Sequence, residues 1–486
     1  MFKELMQSAK LQELQHALQN KSSILIEDLW NTPKALIASL ALQATGKHIL
    51  ILTGASQEEV RLFHDFSLFT ERTIVDFPAW ETLPTENVAP SPDIVGNRYQ
   101  VLSDLSNADQ PYIILSSLQA CLQKLIPQEK FKELYLHLAV GQSYDFVALI
   151  AQLNKMGYHR YPVASDKGQF AVRGGIIDIF PVSSPDPFRL EFWENELESM
   201  RIYDPIGQKS VGPAKEISIT PAQEMELLGK SAQLNTLLDY LGPNTIVIYD
   251  DLLALEDRYA SLTSMAGSAS KVFCSIDEFL DAVQPLQKIF WSQQPIEELT
   301  EVKIAQKNAK QGFYSETAPM QTISFQMFQQ DFTANRWVAP FSTITEHLFP
   351  DISESNKMTG HEIISALNIL QQKDVRLHML CPSENDEAAF KKRLQDAGIT
   401  LPKHTSYDIG YLSNGIFFND INLMILPLAE ITKRYKIRRQ KQRSTYHTTP
   451  IETYDLAAGE MVVHFNNGIG RYLGIEKRPN HNGILS

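Results

Sequence analysis

Residues 33–54, PKALIASLALQATGKHILILTG, decide the architecture of this chain. PKALIASLALQA reads as a helical stretch, Gly46 closes it, and HILILTG follows as an apolar run of strand length. A helix handed directly to a strand with apolar residues at successive positions is the rhythm of a parallel sheet covered by helices. Upstream lie a polar helical pattern over residues 1–20 and a short strand within SSILIEDL (22–29). Downstream come a strand in RTIVDFP (72–78), a Pro-rich loop through LPTENVAPSPD (83–93) and a strand-to-helix step in YIILSSLQACLQKL (112–125).

From about residue 134 the pattern changes to paired strands with tight connections: GQFAVRGGIIDIFP (168–181), then FRLEFWEN (188–195) and ELESMRIYD (196–204). After ISITPAQEM (217–225) the α/β rhythm returns in TIVIYDD (245–251), KVFCSIDEFL (271–280) and QKIFWS (287–292). This predicts a small α+β domain inserted into an α/β domain whose sheet the later segment completes. Residues 295–355 are polar and lack a period. A second small α/β unit follows: helix GHEIISALNILQQ (360–372), strand VRLHMLCP (375–382), helix NDEAAFKKRLQDAG (385–398) and strand INLMILPL (421–428). The basic run Lys433, Arg434, Lys436, Arg438, Arg439, Lys441 and Arg443 reads as a solvated linker. Beyond it, Asn467 and Gly468 suit a tight turn between MVVHF and GRYLGI. The predicted division is 1–133, 134–215 and 216–352 for the first domain, its insertion and its second segment, 353–432 for the second α/β unit, 433–458 for the linker, and 459–486 for an incomplete last domain.

At 486 residues, with 43% apolar and 21% charged residues, the chain has the composition of several folded domains. No apolar run is long enough to cross a bilayer and the N-terminus lacks an apolar signal core, which predicts a cytoplasmic protein with no membrane partner. Its three scattered cysteines, Cys121, Cys274 and Cys381, form neither a disulfide framework nor a metal knuckle. A formal net charge of −13 argues against the chain as a whole gripping nucleic acid and favours protein partners.

Candidate catalytic motifs reduce to ordinary structure. A phosphate-cradling loop needs an early Gly, then Gly-Lys and a Ser or Thr. Gly46 and Lys47 have Ala41 at the first position and His48 after them, and they run from helix to strand, the reverse of the required order. Asp250 and Asp251 imitate the acidic end of a Mg²⁺-holding strand, but acidic residues there also cap the next helix, here LLALEDRYA (252–260). Asp178, between apolar neighbours, reads as a carboxylate paired to a local Arg. The histidines show no metal-ligand spacing, and no metal or cofactor is predicted for this chain.

Four stretches, in this order, resemble the transcription-repair coupling factor family: DFPAWETLPTENVAPSPDIVGNR (76–98), GQFAVRGGIIDIFP (168–181), PFRLEFWENELESMRIYD (187–204) and MVVHFNNGIGRYLGI (461–475). The first three are also similar to its relative UvrB; the last is not. The resemblance implies the N-terminal, non-motor part of such a protein. It would comprise a UvrB-like parallel α/β domain with an inserted α+β domain, a second small α/β domain acting as a spacer, and the start of a Tudor-like β-barrel that interacts with RNA polymerase. ATP and Mg²⁺ would belong to motor domains lying further on, which also make the main DNA contacts.

The family's module contacts UvrA through an Arg, an Arg and an aromatic, which match Arg173, Arg189 and Trp193 here. Strand alternation puts Arg189, Glu191 and Trp193 on the outer face of Phe188–Trp193. The pattern equally accommodates a Trp folded over its own sheet and an Arg paired with Glu191. Trp193 stands where the family usually has Phe. The polymerase-interacting motif matches at Val463, His464, Gly468, Gly470, Arg471 and Tyr472, with Asn467 in place of a second His. Because the sequence stops within that barrel, binding to the RNA polymerase β subunit is expected to be weak or absent. The alternative reading is a UvrB-type or other nucleotide-dependent α/β enzyme with a cryptic active site.

Overall fold

The computed structural model describes residues 2–292 and 375–429, apart from short breaks at 21–22, 28, 30–31, 55, 83–87, 267–270 and 397–399, together with segments 321–324, 339–340, 461–464 and 468–471. The helix GHEIISALNILQQ, the basic run Lys433–Arg443 and Tyr472 lie outside the described residues.

The main body is a seven-stranded sheet in the order Gln321–Ser324, Ile24–Glu27, Gln287–Trp291, Thr245–Asp250, His48–Thr53, Ile113–Ser117, Ile74–Phe77, with every neighbour parallel. Strands 245–250 and 287–291 lie between 24–27 and 48–53. The central strands 48–53, 245–250 and 287–291 are buried at nearly every position because helices cover both faces, and period-two alternation sorts the side chains between two cores. Leu25, Leu50, Leu52, Ile114, Val247, Tyr249 and Phe290 enter one. Ile24, Ile26, Ile49, Ile51, Ile246, Ile248 and Ile289 enter the other. Helix Pro33–Thr45 ends at Gly46, whose left-handed φ of 66° lets its N–H return to the Leu42 carbonyl.

The first core runs on into the unit between the two halves of this sheet. Leu136–Ala139 and Glu216–Ile219 pair antiparallel, so the chain enters and leaves the unit side by side. Within it lies a six-stranded sheet ordered Ser210–Pro213, Glu196–Tyr203, Phe188–Trp193, Ile176–Phe180, Gln169–Arg173, His159–Arg160, antiparallel except at the last pair. Helix Phe146–Lys155, capped by the Asp145 carboxylate, belongs to the same unit. Phe170, Ile177, Ile179, Leu190 and Met200 join Leu50 and Phe77 in the first core.

A buried polar cluster pins this junction. Arg98, fully buried, donates to both oxygens of Glu224 at 2.9–3.2 Å and to the Pro78 carbonyl at 2.7 Å. The Trp80 indole donates to the same carboxylate at 2.6 Å, and Gln123 accepts from both the Trp80 N–H and Arg98. The guanidinium lies 4.4 Å from the Phe77 ring centroid and 5.3 Å from that of Trp80. Phe77, Trp80 and Arg98 of the first quoted family stretch are thus one structural device.

The second α/β unit is a five-stranded sheet in the order Ala339–Pro340, Ile416–Phe418, Leu423–Pro427, Arg376–Cys381, Thr405–Ile409. It is not a detached spacer. Leu380, Leu412, Ile416, Phe418, Leu423 and Ile425 enter the second core beside Leu5, Leu14 and Phe66. Polar contacts rim that junction: Ser8 Oγ donates to Asp420 at 2.7 Å, the Ser413 N–H to Asp65 at 2.6 Å and the Asn414 N–H to Thr32 Oγ1 at 3.2 Å. Near the C-terminus Met461–His464 pairs antiparallel with Gly468–Arg471. His464 opposes Gly468, so Gly468 is a ladder residue, and Asn467, read with it as a tight turn, lies outside the described residues.

Candidate partner-docking surface

The antiparallel register of the inserted sheet lines up its outer side chains in rows. Ala171, Asp178, Arg189 and Arg201 oppose one another across four strands, and Arg173, Ile176, Glu191 and Ser199 form the next row. The other face carries Ile177, Ile179, Leu190 and Met200 into the core, which leaves this one to polar groups.

Glycines set the position of Arg173. At the Arg173–Ile176 turn, Gly174 takes a φ of 60°, and a Cβ on Gly175 would meet the Phe192 carbonyl at 2.7 Å. Gly175 accepts from the Phe192 N–H at 2.8 Å, which welds the turn to the neighbouring strand. Arg173 is exposed and donates to the Pro162 carbonyl at 2.9 Å. Trp193 is 73% exposed at the end of its strand, where Glu194 turns the chain with a φ of 52°. It does not fold over its own sheet.

Arg189 is held differently. Its Nε and Nη2 fork onto Asp178 at 2.6 and 2.9 Å, the carboxylate being 2% and the guanidinium side chain 18% exposed. Its partner is therefore Asp178 and not Glu191, which accepts from Ser199 Oγ at 2.5 Å and lies 3.4 Å from Arg201. Arg189 also stacks over Tyr203 at 5.2 Å, and the Tyr203 hydroxyl donates to the Ala164 carbonyl at 2.6 Å. The hydrogen bond from Asp178 raises the pKa of Arg189 further, and burial pushes that of Tyr203 above the tyrosine range. Arg201 was not among the predicted residues. The bulge between Leu197 and Ser199 shifts the alternation of its strand, and that bulge is not visible in the sequence.

Of the polymerase-motif residues, Val463, His464, Gly468, Gly470 and Arg471 fall in the terminal two-stranded ladder, where Val463 opposes Ile469, Gly470 opposes Val462 and Arg471 opposes Met461.

The nucleotide-like features resolve into packing. Asp251 caps the next helix through the Leu253 and Ala254 N–H groups at 3.1 and 3.3 Å, as expected. Asp250, fully buried, instead meets Lys34 at 2.5 Å. Lys34 is the second residue of a helix that follows strand Ile24–Glu27, so the strand-loop-helix order of a phosphate loop is present with its ammonium bound to the protein's own carboxylate. Reading only Gly46–Lys47 missed this. It also passed over Gly229–Lys230–Ser231, which ends helix Glu224–Lys230 and has the buried Glu224 where the first Gly of a phosphate loop stands. Among the described residues no cluster of His, Cys, Asp or Glu could hold a metal ion, and no helix is long and apolar enough to cross a membrane.

Residues 136–225, the whole inserted unit, match the family model described as UvrB interaction domain. The transcription-repair-coupling factor of Bacillus subtilis is 24% identical over 93% of this chain and 42% of its own length. That of Myxococcus xanthus is 23% identical over 83% of the chain and 38% of its length. That of Escherichia coli is 30% identical over a shorter stretch, 39% of the chain and 16% of its length. The chain thus spans less than half the length of the curated relatives it matches. With most of its length aligned to these proteins and a UvrB interaction domain matched at residues 136–225, the chain is similar to the N-terminal region of transcription-repair coupling factors.

Proposed function

We propose that this chain is an adaptor that recruits UvrA of nucleotide excision repair through the outer face of its inserted sheet. In the cell it would work as part of a longer cytoplasmic protein that releases RNA polymerase stalled at DNA lesions by ATP-driven translocation. The observation that carries the reading is Trp193, 73% exposed on the same face as Arg173 and Arg189, within the segment that matches the UvrB interaction domain. An aromatic and an arginine left accessible on a rigid sheet are the residue types on which binding hot spots are built. Asp178 fixes the third residue, Arg189, so little side-chain entropy is lost on docking.

The domain division read from the sequence, with the insertion at 134–215, accompanies this proposal. So does the role of the 461–471 hairpin in meeting the polymerase β subunit. No ATP hydrolysis is expected of this chain, because Lys34 and Asp250 neutralise one another where a phosphate and a metal would need them. Binding of purified UvrA to the chain, measured by biolayer interferometry, tests the adaptor reading. Arg173→Ala and Trp193→Ala should each weaken it at least tenfold with the melting temperature unchanged, and wild-type affinity in the double variant overturns the assignment.

A further inference from the structure

Within that adaptor reading, the sheet register singles out a residue that the motif does not contain. Arg189 and Arg201 stand directly opposite one another on neighbouring strands. Like charges so placed repel, and the sheet compensates with one carboxylate for each: Asp178 for Arg189 and Glu191 for Arg201. The two pairs differ. Asp178–Arg189 is short, two-pronged and largely buried. Arg201–Glu191 is a single contact at 3.4 Å with the Arg201 side chain 49% exposed, and Glu191 already takes a 2.5 Å bond from Ser199. Arg189 therefore has two of its donors committed inside the protein, whereas Arg201 presents most of its fork to solvent.

We propose that Arg201 is a further contact residue of the docking surface, that it receives a carboxylate from the partner, and that Arg189 beside it serves mainly as the fixed base of the row. An exposed guanidinium whose internal ion pair is long gives up little when a partner's carboxylate joins it, and its planar fork suits two-pronged recognition. The favoured partner surface is acidic opposite Arg201 and Arg173 and apolar opposite Trp193. It would lie across the whole Trp193–Arg201 diagonal of the sheet, not at its Trp193 end alone.

The proposal rests on the adaptor reading, and the test separates the two. Purified UvrA is titrated against the folded chain and against Arg201→Ala, Arg201→Lys, Arg173→Ala and Lys209→Ala, the last an exposed lysine on the hairpin after Tyr203. Arg201→Ala should raise Kd about tenfold or more and Arg201→Lys should restore only part of the loss, while Lys209→Ala stays at wild type. If Arg173→Ala weakens binding and Arg201→Ala stays within about twofold of wild type, the assignment of Arg201 is overturned and the adaptor reading stands. If the wild-type chain does not bind UvrA, both fall. A melting temperature equal to wild type in each variant keeps a folding defect from passing as a lost contact. Should Arg201→Ala unfold the chain, Arg201→Gln supplies the reading, since it retains the aliphatic stem and removes the charge.

Discussion

Arg98 and Glu224, 126 residues apart in sequence, are joined by three hydrogen bonds with both side chains 0% exposed. One comes from a helix covering the parallel sheet and the other from the helix entered as the chain leaves the inserted unit. Removing either partner strands a charge where water cannot reach it, a loss of about 3–5 kcal/mol. Glu224→Ala should show it as a lower midpoint in urea, and it should also release the Trp80 indole, detectable as a shift in tryptophan emission. A variant with wild-type stability contradicts this account.

The pair Lys34–Asp250 makes a second prediction. Millimolar Mg²⁺-ATP should leave the melting temperature unchanged, since a ligand raises it only by binding the folded state. Phosphate release should equal the no-protein control. Asp250→Ala leaves a buried ammonium with no counter-ion and should cost about 3–5 kcal/mol.

Asp65 predicts a pH effect. It is 2% exposed and sits where the second α/β unit docks, accepting from Ser413 and Thr32, and burial raises its pKa to about 6 against those bonds. A raised carboxyl pKa means that the folded state holds its proton over a range where the unfolded chain has released it. This contribution to stability is fully present below about pH 4, declines as pH rises through 6, and is absent above it. Its span is on the order of 2–3 kcal/mol. Asp65→Asn should flatten the decline between pH 4 and 6 in calorimetric melts; an unchanged profile assigns the effect elsewhere.

All three cysteines are buried, and burial pushes the thiols of Cys274 and Cys381 up to about 12 and about 11. Thiolate, not thiol, is the reactive form. An aromatic disulfide reagent at pH 8 should label the native chain slowly and three equivalents should react at once in guanidinium.

The parallel sheet was legible because His48–Thr53, Thr245–Asp250 and Gln287–Trp291 are buried at nearly every position and so carry the apolar runs ILIL, IVIY and IFW. Thr405–Ile409 was not seen. It is an edge strand, mostly open to solvent, and nothing forces its residues TSYDI to be apolar. Of the docking face, Trp193 could be placed outward from strand alternation, and Arg173 only from the family resemblance. That Asp178 pairs with a local Arg was legible, but that the Arg is Arg189 was not, nor was Arg201, because both depend on which residue faces which across strands, and the bulge in Glu196–Tyr203 changes that count by one.

The interleaved order of the main sheet bears on how the chain is made. Strand Ile24–Glu27 has Gln287–Trp291 and Gln321–Ser324 as its neighbours, so it emerges from the ribosome long before either exists. Translation at about 5–20 residues per second leaves it unpaired for many seconds. The inserted unit, whose own sheet pairs adjacent segments, can mature in that interval. Vectorial synthesis therefore favours a nascent chain in which the docking face is finished first and the sheet that carries it closes last, with the N-terminal strands as the segment that a chaperone has to shield.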